Sequence, residues 1–448
     1  MSSRREVPRP LGRTTRRSFL KGVVTVGAGL TAAGAAASAC GSSVAKQGTR
    51  VRIWSWLTGM NKYVDAFNNS QSDIHVELSV IAAGVSGGYA QQANAIRAHN
   101  APDILHTEYQ GLPQILLTGG LRDLSSDMAD LAGGYSAAAW TGVRPGARTW
   151  AVPFDLAPMA FYYRKDLFDA NGLTVPTTWG AFRDAAAAVR GIDPGAHVTT
   201  FPLSDGAFYA GMSWGADDPW WRIDGDSWRV SVDNPGSQKV AQYWQSMIDD
   251  DLVATTATGT QDWISGLHTG KLWGLLGAAW SLGSLKKFIP EDKNRWAVAP
   301  LPTWEGSPPT NGMHGGTAFG VSRESKNPEA ALTFLRWLST DPAVPKIAAG
   351  FTSLFPAYTP NRQGARAEFT NDYFIGEPVY DVLDLAATRV PEWTWGPNSL
   401  GMFSTIQDNI GGAATGGPSL SAALKPIHTA AVADLRDRGI SVIERTTS

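Results

Sequence analysis

Cysteine is nearly absent: Cys40 is the only one in 448 residues. No intramolecular disulfide can form, even in an exported compartment where disulfides are allowed. Histidine is sparse as well. The seven residues, at 75, 99, 106, 197, 268, 314 and 428, form no HExxH or other close pair, and Cys40 is too isolated for a Cys/His zinc set. There is no Walker A loop and no GxSxG elbow, and "GVSGG" near residue 86 is a lone glycine cluster. No metal and no cofactor are implied. The charged fraction is only 17% against 43% hydrophobic residues, which suits an ordered globular chain. A mean hydropathy of −0.15 and 27 scattered prolines exclude a polytopic membrane protein.

Tryptophan, by contrast, is abundant: eighteen residues outnumber both the eleven Tyr and the sixteen Phe. An indole is large and its N–H wants a partner, so Trp is favoured on recognition surfaces. The stretch "WGLLGAAWSLGS" (273–284) sets Trp280 among Gly, Ala and Ser, neighbours too small to cover the ring.

The N-terminus carries "TTRRSFLKG" (14–22), which resembles a twin-arginine export signal, followed by an uncharged Gly/Ala-rich run that ends in "ASAC" at Cys40. The resemblance is to a lipoprotein signal, with Ala37 where the lipobox usually has Leu. It implies cleavage, acylation of Cys40 and anchorage on the outer face of the cytoplasmic membrane. The competing reading is a transmembrane helix, against which the run is short and poor in large apolar residues. Removing residues 1–39 takes away seven Arg/Lys and one Glu and leaves 31 basic and 39 acidic residues, a net charge of −8. A chain that acidic is not expected to bind nucleic acid.

From residue 50 the pattern alternates. "RVRIWSW", "IHVELSVI" and "APDILHTEY" read as strands, separated by the helical "TGMNKYVDAFNNS", with Thr58 as N-cap, and "SGGYAQQANAIRAHN". This predicts a mostly parallel α/β sheet with ligands beyond its strand ends, at 55–56 and 107–109. "WRIDGDSWRVSV" reads as a hairpin, "NPGSQKVAQYWQSMIDD" and "NPEAALTFLRWLST" as helices, and "PLPTWEGSPPTNGMHGGT" as a loop. Trp179, Trp244 and Trp337 fall in helical periodicity and are expected in the core.

Three blocks then carry a family likeness. "AVPFDLAPMAFYYRKDLFDANGLTVPTTWGAF" (151–182) has Val152-Pro153-Phe154, Tyr163, Lys165-Asp166-Leu167-Phe168 and Thr178-Trp179, with Arg164 in place of the usual Asn. "HTGKLWGLLGAAW" (268–280) has Leu272-Trp273 where small residues and Met are usual, and the third block runs from "APLP" (299–302) through "GGTAFGVSRESKNPEAALTFLRWLS" (315–339). In this order they resemble the family 1 extracellular solute-binding proteins, maltose-binding-protein-like carbohydrate receptors of ABC importers.

The resemblance implies a two-lobed α/β clamp crossed more than once by the chain. One lobe is expected at 50–156 plus 317–360 and the other at 157–316 plus 361–448, after a signal (1–39) and a tether (40–49). It implies a monomeric, non-enzymatic binding protein that passes a sugar from the interlobe cleft to permease subunits. Trp280 resembles the Trp that stacks on a sugar ring in this family. The other site candidates are Trp56, Glu108, Tyr109, Asp155, Trp214, Gly315 and Gly316 (as backbone donors), Trp393 and Trp395. Two alternatives stay open. The clamp could take a glycerophosphodiester or other polar solute, with Arg52 or Arg389 as the cation. A secreted hydrolase could use Glu108 and Asp155 as a carboxylate pair.

Overall fold

A computed structural model describes residues 48–444 except Ser353 and Glu377. The signal, Cys40 and nearly all of the tether lie outside the described residues. Eleven strands are named here in chain order: β1 (Thr49–Ser55), β2 (Ile74–Val80), β3 (Ile104–Glu108), β4 (Val152–Asp155), β5 (Met159–Arg164), β6 (Trp221–Asp224), β7 (Ser227–Val230), β8 (Gly274–Ala278), β9 (Trp296–Pro300), β10 (Thr317–Val321) and β11 (Val442–Glu444).

The first sheet has the order β2-β1-β3-β10-β4. Strands β1, β2 and β3 are parallel, as the alternation of strands and helices predicts, but β10 runs antiparallel to both β3 and β4. The sheet is therefore mixed rather than mostly parallel, because β10 is a return strand arriving from far along the chain. A second sheet, β8-β5-β9, is antiparallel throughout. The "WRIDGDSWRVSV" segment forms the expected hairpin, its two-residue turn made by Gly225 at φ 58 and Asp226, and β11 adds to it in parallel. The first helix, Met60–Ser70, departs from expectation. Its N-cap is Gly59 in the left-handed region, not Thr58. Among the described residues no helix is long and apolar enough to cross a membrane.

The passages between the two sheets position everything that follows. The first, Leu156–Pro158, joins the end of β4 to the start of β5. The second, Met313–Gly316, lies alongside it: Met313 bridges Pro158, and the His314 N–H donates to the Ala157 carbonyl at 3.0 Å. The segment 355–357 lies against β4, with the Leu156 N–H donating to Phe355 O. Helix Thr359–Glu368 then packs on the helix Ala343–Ile347, which belongs with the first sheet, and the chain reaches the second sheet only where Phe374 bridges Trp296. The chain's third passage thus follows Glu368.

Gly315 and Gly316 adopt φ of 97° and 105°, where an L side chain is strained. A β-carbon on Gly316 would also stand 2.7 Å from the Tyr109 ring and 3.3 Å from the Asp155 carbonyl. Gly172, at φ 66°, has nothing within 4 Å. Gly172→Ala should cost about 1–2 kcal/mol, from backbone strain alone. Gly316→Ala should cost about 2–5 kcal/mol, strain plus overpacking, as read by chemical denaturation. Equal losses would show that Gly316 is needed for its φ and not for the approach of Tyr109.

Candidate binding cleft

Strand register brings the polar groups together. Thr317 pairs with Glu108 of β3 on one side and with Asp155 of β4 on the other, so both carboxylates stand at one level at the end of the first sheet. Trp56 lies just past the end of β1. In the second sheet Ala278, the last residue of β8, is level with Met159, the first of β5. Trp280, two residues on, therefore emerges at the end where the chain enters from the first sheet, and it opens the helix Ser281–Phe288.

Trp280 is 42% exposed, the only Trp among the exposed large hydrophobic residues described. It is also held: its Nε1–H donates to the His314 carbonyl at 2.8 Å, and the His314 ring meets it edge-on at 5.5 Å. An indole whose N–H is already satisfied by backbone offers an oriented apolar face without ordering itself on binding.

At the end of the first sheet, the Tyr89 hydroxyl donates to Glu108 Oε2 at 2.6 Å and Gln110 Nε2 donates to the same oxygen at 3.0 Å. Tyr89 in turn packs edge-on against Trp56, and His106 stacks under Trp56 with ring centroids 3.8 Å apart. His106 is fully buried, and burial lowers its pKa to about 3, so it backs Trp56 as a neutral ring. Its Nδ1 accepts from the Trp56 backbone N–H, which fixes the ring beneath the indole.

His314 connects the two sides. Its Nε2 lies 3.4 Å from Asp205 Oδ2. Burial disfavours its charge, but Asp205 and Glu108 outweigh burial and raise its pKa. Burial likewise pushes the Glu108 carboxyl up, against the Tyr89 hydrogen bond and the His314 charge. Asp155 is buried and accepts from the Thr317 N–H at 2.7 Å; burial, reinforced by Glu108, lifts its pKa to about 7. A cavity of about 210 Å³ opens beside Trp280 and His314.

Of the predicted residues, Trp56, Glu108, Asp155, Trp280, Gly315 and Gly316 gather at the strand ends and crossings. Tyr109 does not present itself to a ligand: it is 1% exposed under Gly316, its hydroxyl donating to the Asp155 carbonyl. Trp214, Trp393 and Trp395 are core in this conformation. Trp214 stacks on Trp393 at 5.0 Å, meets Trp395 edge-on and donates its Nε1–H to Pro391 O. Their expected place in the cleft gives way to packing on one another. Trp179 and Trp244 are buried as expected, and Trp337 is half-buried against Phe67 and Phe334. Tyr89, His106, Asp205 and His314 were missed. Only His314, beside the Gly-Gly pair in "GMHGG", carried a local signal.

Residues 54–345 match the family of bacterial extracellular solute-binding proteins. The chain belongs to that family. An arabinooligosaccharide-binding protein of Bacillus subtilis (strain 168) is 26% identical over 180 residues, 39% of this chain and 40% of the relative. A lactose-binding protein of Rhizobium radiobacter is 24% identical over 194 residues, 42% of this chain and 44% of the relative. The matched part is thus less than half the length of these curated relatives, both of them binding proteins by name. Among solved structures, the ABC transporter associated binding protein of B. animalis subsp. lactis Bl-04, in complex with β-1,6-galactobiose, is 25% identical with a TM-score of 0.76. That similarity covers 88% of this chain and 99% of that one. The galacto-N-biose/lacto-N-biose I-binding protein of Bifidobacterium longum, at 22% identity and a TM-score of 0.79 over 89% and 99% of the two chains, shares the fold. The two-lobed α/β clamp is the fold of this family member.

The Asp155 carboxyl keeps its proton to about pH 7 when folded, against an ordinary value of 3.8. Its contribution to stability is therefore full below the ordinary value and is lost as pH rises through about 7. Denaturation midpoints of wild type should fall across that window more steeply than those of Asp155→Asn, which keeps the acceptor for Thr317. Parallel pH profiles would place the titrating group elsewhere.

Proposed function

We propose that the chain is the ligand-capturing component of an ABC importer and takes a mono-, di- or oligosaccharide between its lobes for delivery to membrane permease subunits. The observation that carries this reading is Trp280: a half-exposed indole, locked by its N–H to the carbonyl of His314, whose ring interacts with the Asp205 and Glu108 carboxylates. A pyranose presents C–H groups on its face and hydroxyls on its rim. Indoles cover the first, and Glu108 with backbone N–H groups near Gly315 and Gly316 satisfies the second. Trp56, backed by His106, is the matching platform on the other lobe. Micromolar capture needs about 8 kcal/mol, so several such contacts must converge.

The lobes are 50–156 plus 317–368 and 157–316 plus 373–444, and closure about the crossings is the signal to the permease. The two competing chemistries find less support. Arg52, one of the two cations considered for a phosphodiester, is already engaged by the Ala101 carbonyl. Asp155 is buried against the Thr317 N–H, which leaves Glu108 without an accessible partner carboxylate for glycoside hydrolysis. The chain is read as a non-enzymatic monomer, exported by the twin-arginine route and tethered by lipid at Cys40.

A thermal-shift screen over sugars should raise the midpoint for the cognate ligand by mass action. Trp280→Ala should weaken that binding by about 1.5–4 kcal/mol, roughly one to three decades, from lost apolar coverage and stacking. Its ligand-free stability should change much less. Normal binding with early melting would make the ring a packing element instead.

Lipid attachment is tested separately. Cys40→Ala should release the protein from membranes, and Lys-Lys at positions 16 and 17 should leave precursor in the cytoplasm. Membrane retention of the Cys40→Ala protein would rule out the anchor.

A further inference from the structure

The cavity beside Trp280 differs in character from the carboxylate side of the cleft. Its walls are aromatic and aliphatic: Phe208, Trp263, Trp280 and Phe288, with Leu275 at the strand. It is built entirely from segments of the second lobe and the crossing, so it does not depend on the first sheet for its walls. Polar side chains line it too, but nearly all are committed. Thr200 Oγ1 donates to the Ala254 and Thr256 carbonyls, and Ser284 Oγ donates to the Trp280 carbonyl. Asp205 accepts from the Phe208 N–H with one oxygen and faces His314 with the other. Among the described lining groups, the Thr258 hydroxyl and the buried Trp263 Nε1–H have no hydrogen-bond partner. The hydroxyl rim of a second sugar would find little to bind there, and an anionic group would find no Lys or Arg.

We propose that this cavity is a subsite for the aromatic aglycone of an aryl glycoside, its ring packing against Trp280, Trp263 and Phe288 while the sugar occupies the cleft. Aromatic walls favour an aromatic guest over an alkyl chain because offset and edge-on ring contacts add to area burial. Trp280 and His314 border both the cavity and the cleft, so a single glycosidic linkage can span the two. The proposal rests on the carbohydrate reading and narrows it to the class of substituent that the sugar carries.

Calorimetric titration of the mature protein with methyl and 4-nitrophenyl glycosides of galactose, glucose and arabinose tests it, with free oligosaccharides and hexyl glycosides alongside. For the sugar that binds, the aryl glycoside should be about tenfold or more tighter than the methyl one. That ratio should fall towards unity in Phe288→Ala, which removes an exposed wall, and in Ser284→Phe, which fills the space. Using two variants guards against one of them misfolding, and the ratio is internal to each protein. Equal affinity of methyl and aryl glycosides overturns the subsite and leaves the carbohydrate reading intact. The same holds if oligosaccharides bind and no aryl glycoside does, or if hexyl glycosides match the aryl ones. An aryl preference that survives both variants puts the ring elsewhere and also overturns the subsite. If no sugar of any kind binds, the carbohydrate reading fails and the subsite fails with it.

Discussion

The hydrogen bond from the His314 N–H to the Ala157 carbonyl holds two crossing segments side by side, and the cleft depends on that pairing. Leu156–Pro158 and Met313–Gly316 run antiparallel between the two sheets. Because β4 ends into the first and β10 begins from the second, Asp155 and Thr317 are locked in register, and Glu108 follows on the far side of Thr317. The His314 carbonyl then receives the Trp280 N–H, while its ring reaches towards Asp205. One backbone pairing thereby orients a platform, an imidazole and two carboxylates.

The charges around His314 show how the site remains polar without being cationic. Asp205 from one lobe and Glu108 from the other both favour its protonation, and burial of the ring opposes it. Asp205 gains from the same pair: burial would raise its pKa, and His314 more than compensates, leaving it lowered. The resulting cluster sets one imidazole against two carboxylates. A neutral polyol can hydrogen-bond to such a cluster without adding a charge to be desolvated, whereas an anion would meet two carboxylates and no arginine.

Much of the fold was legible in the residues. Strand and helix periodicity located β1, β2 and β3 and the helices between them. The Asp224-Gly225-Asp226 turn marked its hairpin, and Pro-Gly content marked the loop before His314. What local pattern could not supply was the direction of β10. A strand carries no mark of whether it will enter a sheet parallel or antiparallel; that follows from which end of the sheet the returning chain reaches. The same limit applies to the third passage, where helix Thr359–Glu368 stays with the first sheet because its buried face, including Ala365, meets the helix Ala343–Ile347.

Tryptophan separates most clearly what sequence and tertiary structure each decide. Trp280 and Trp214 both sit among small or polar neighbours, in "GAAWSLG" and "GMSWGAD". By sequence alone, both are rings that their own neighbours cannot cover, and that much was determined. Trp214 is covered all the same, by Trp393 and Trp395 from a segment nearly 180 residues away, whereas Trp280, met edge-on by the His314 ring, stays 42% exposed. The sequence by itself determined the abundance of indoles, the strand ends on which polar groups would gather and the glycines that let the chain turn at the second crossing. Which indole would face the cleft was decided only by folding, because burial is set by surfaces that meet across the tertiary structure and not by the residues beside the ring in the chain.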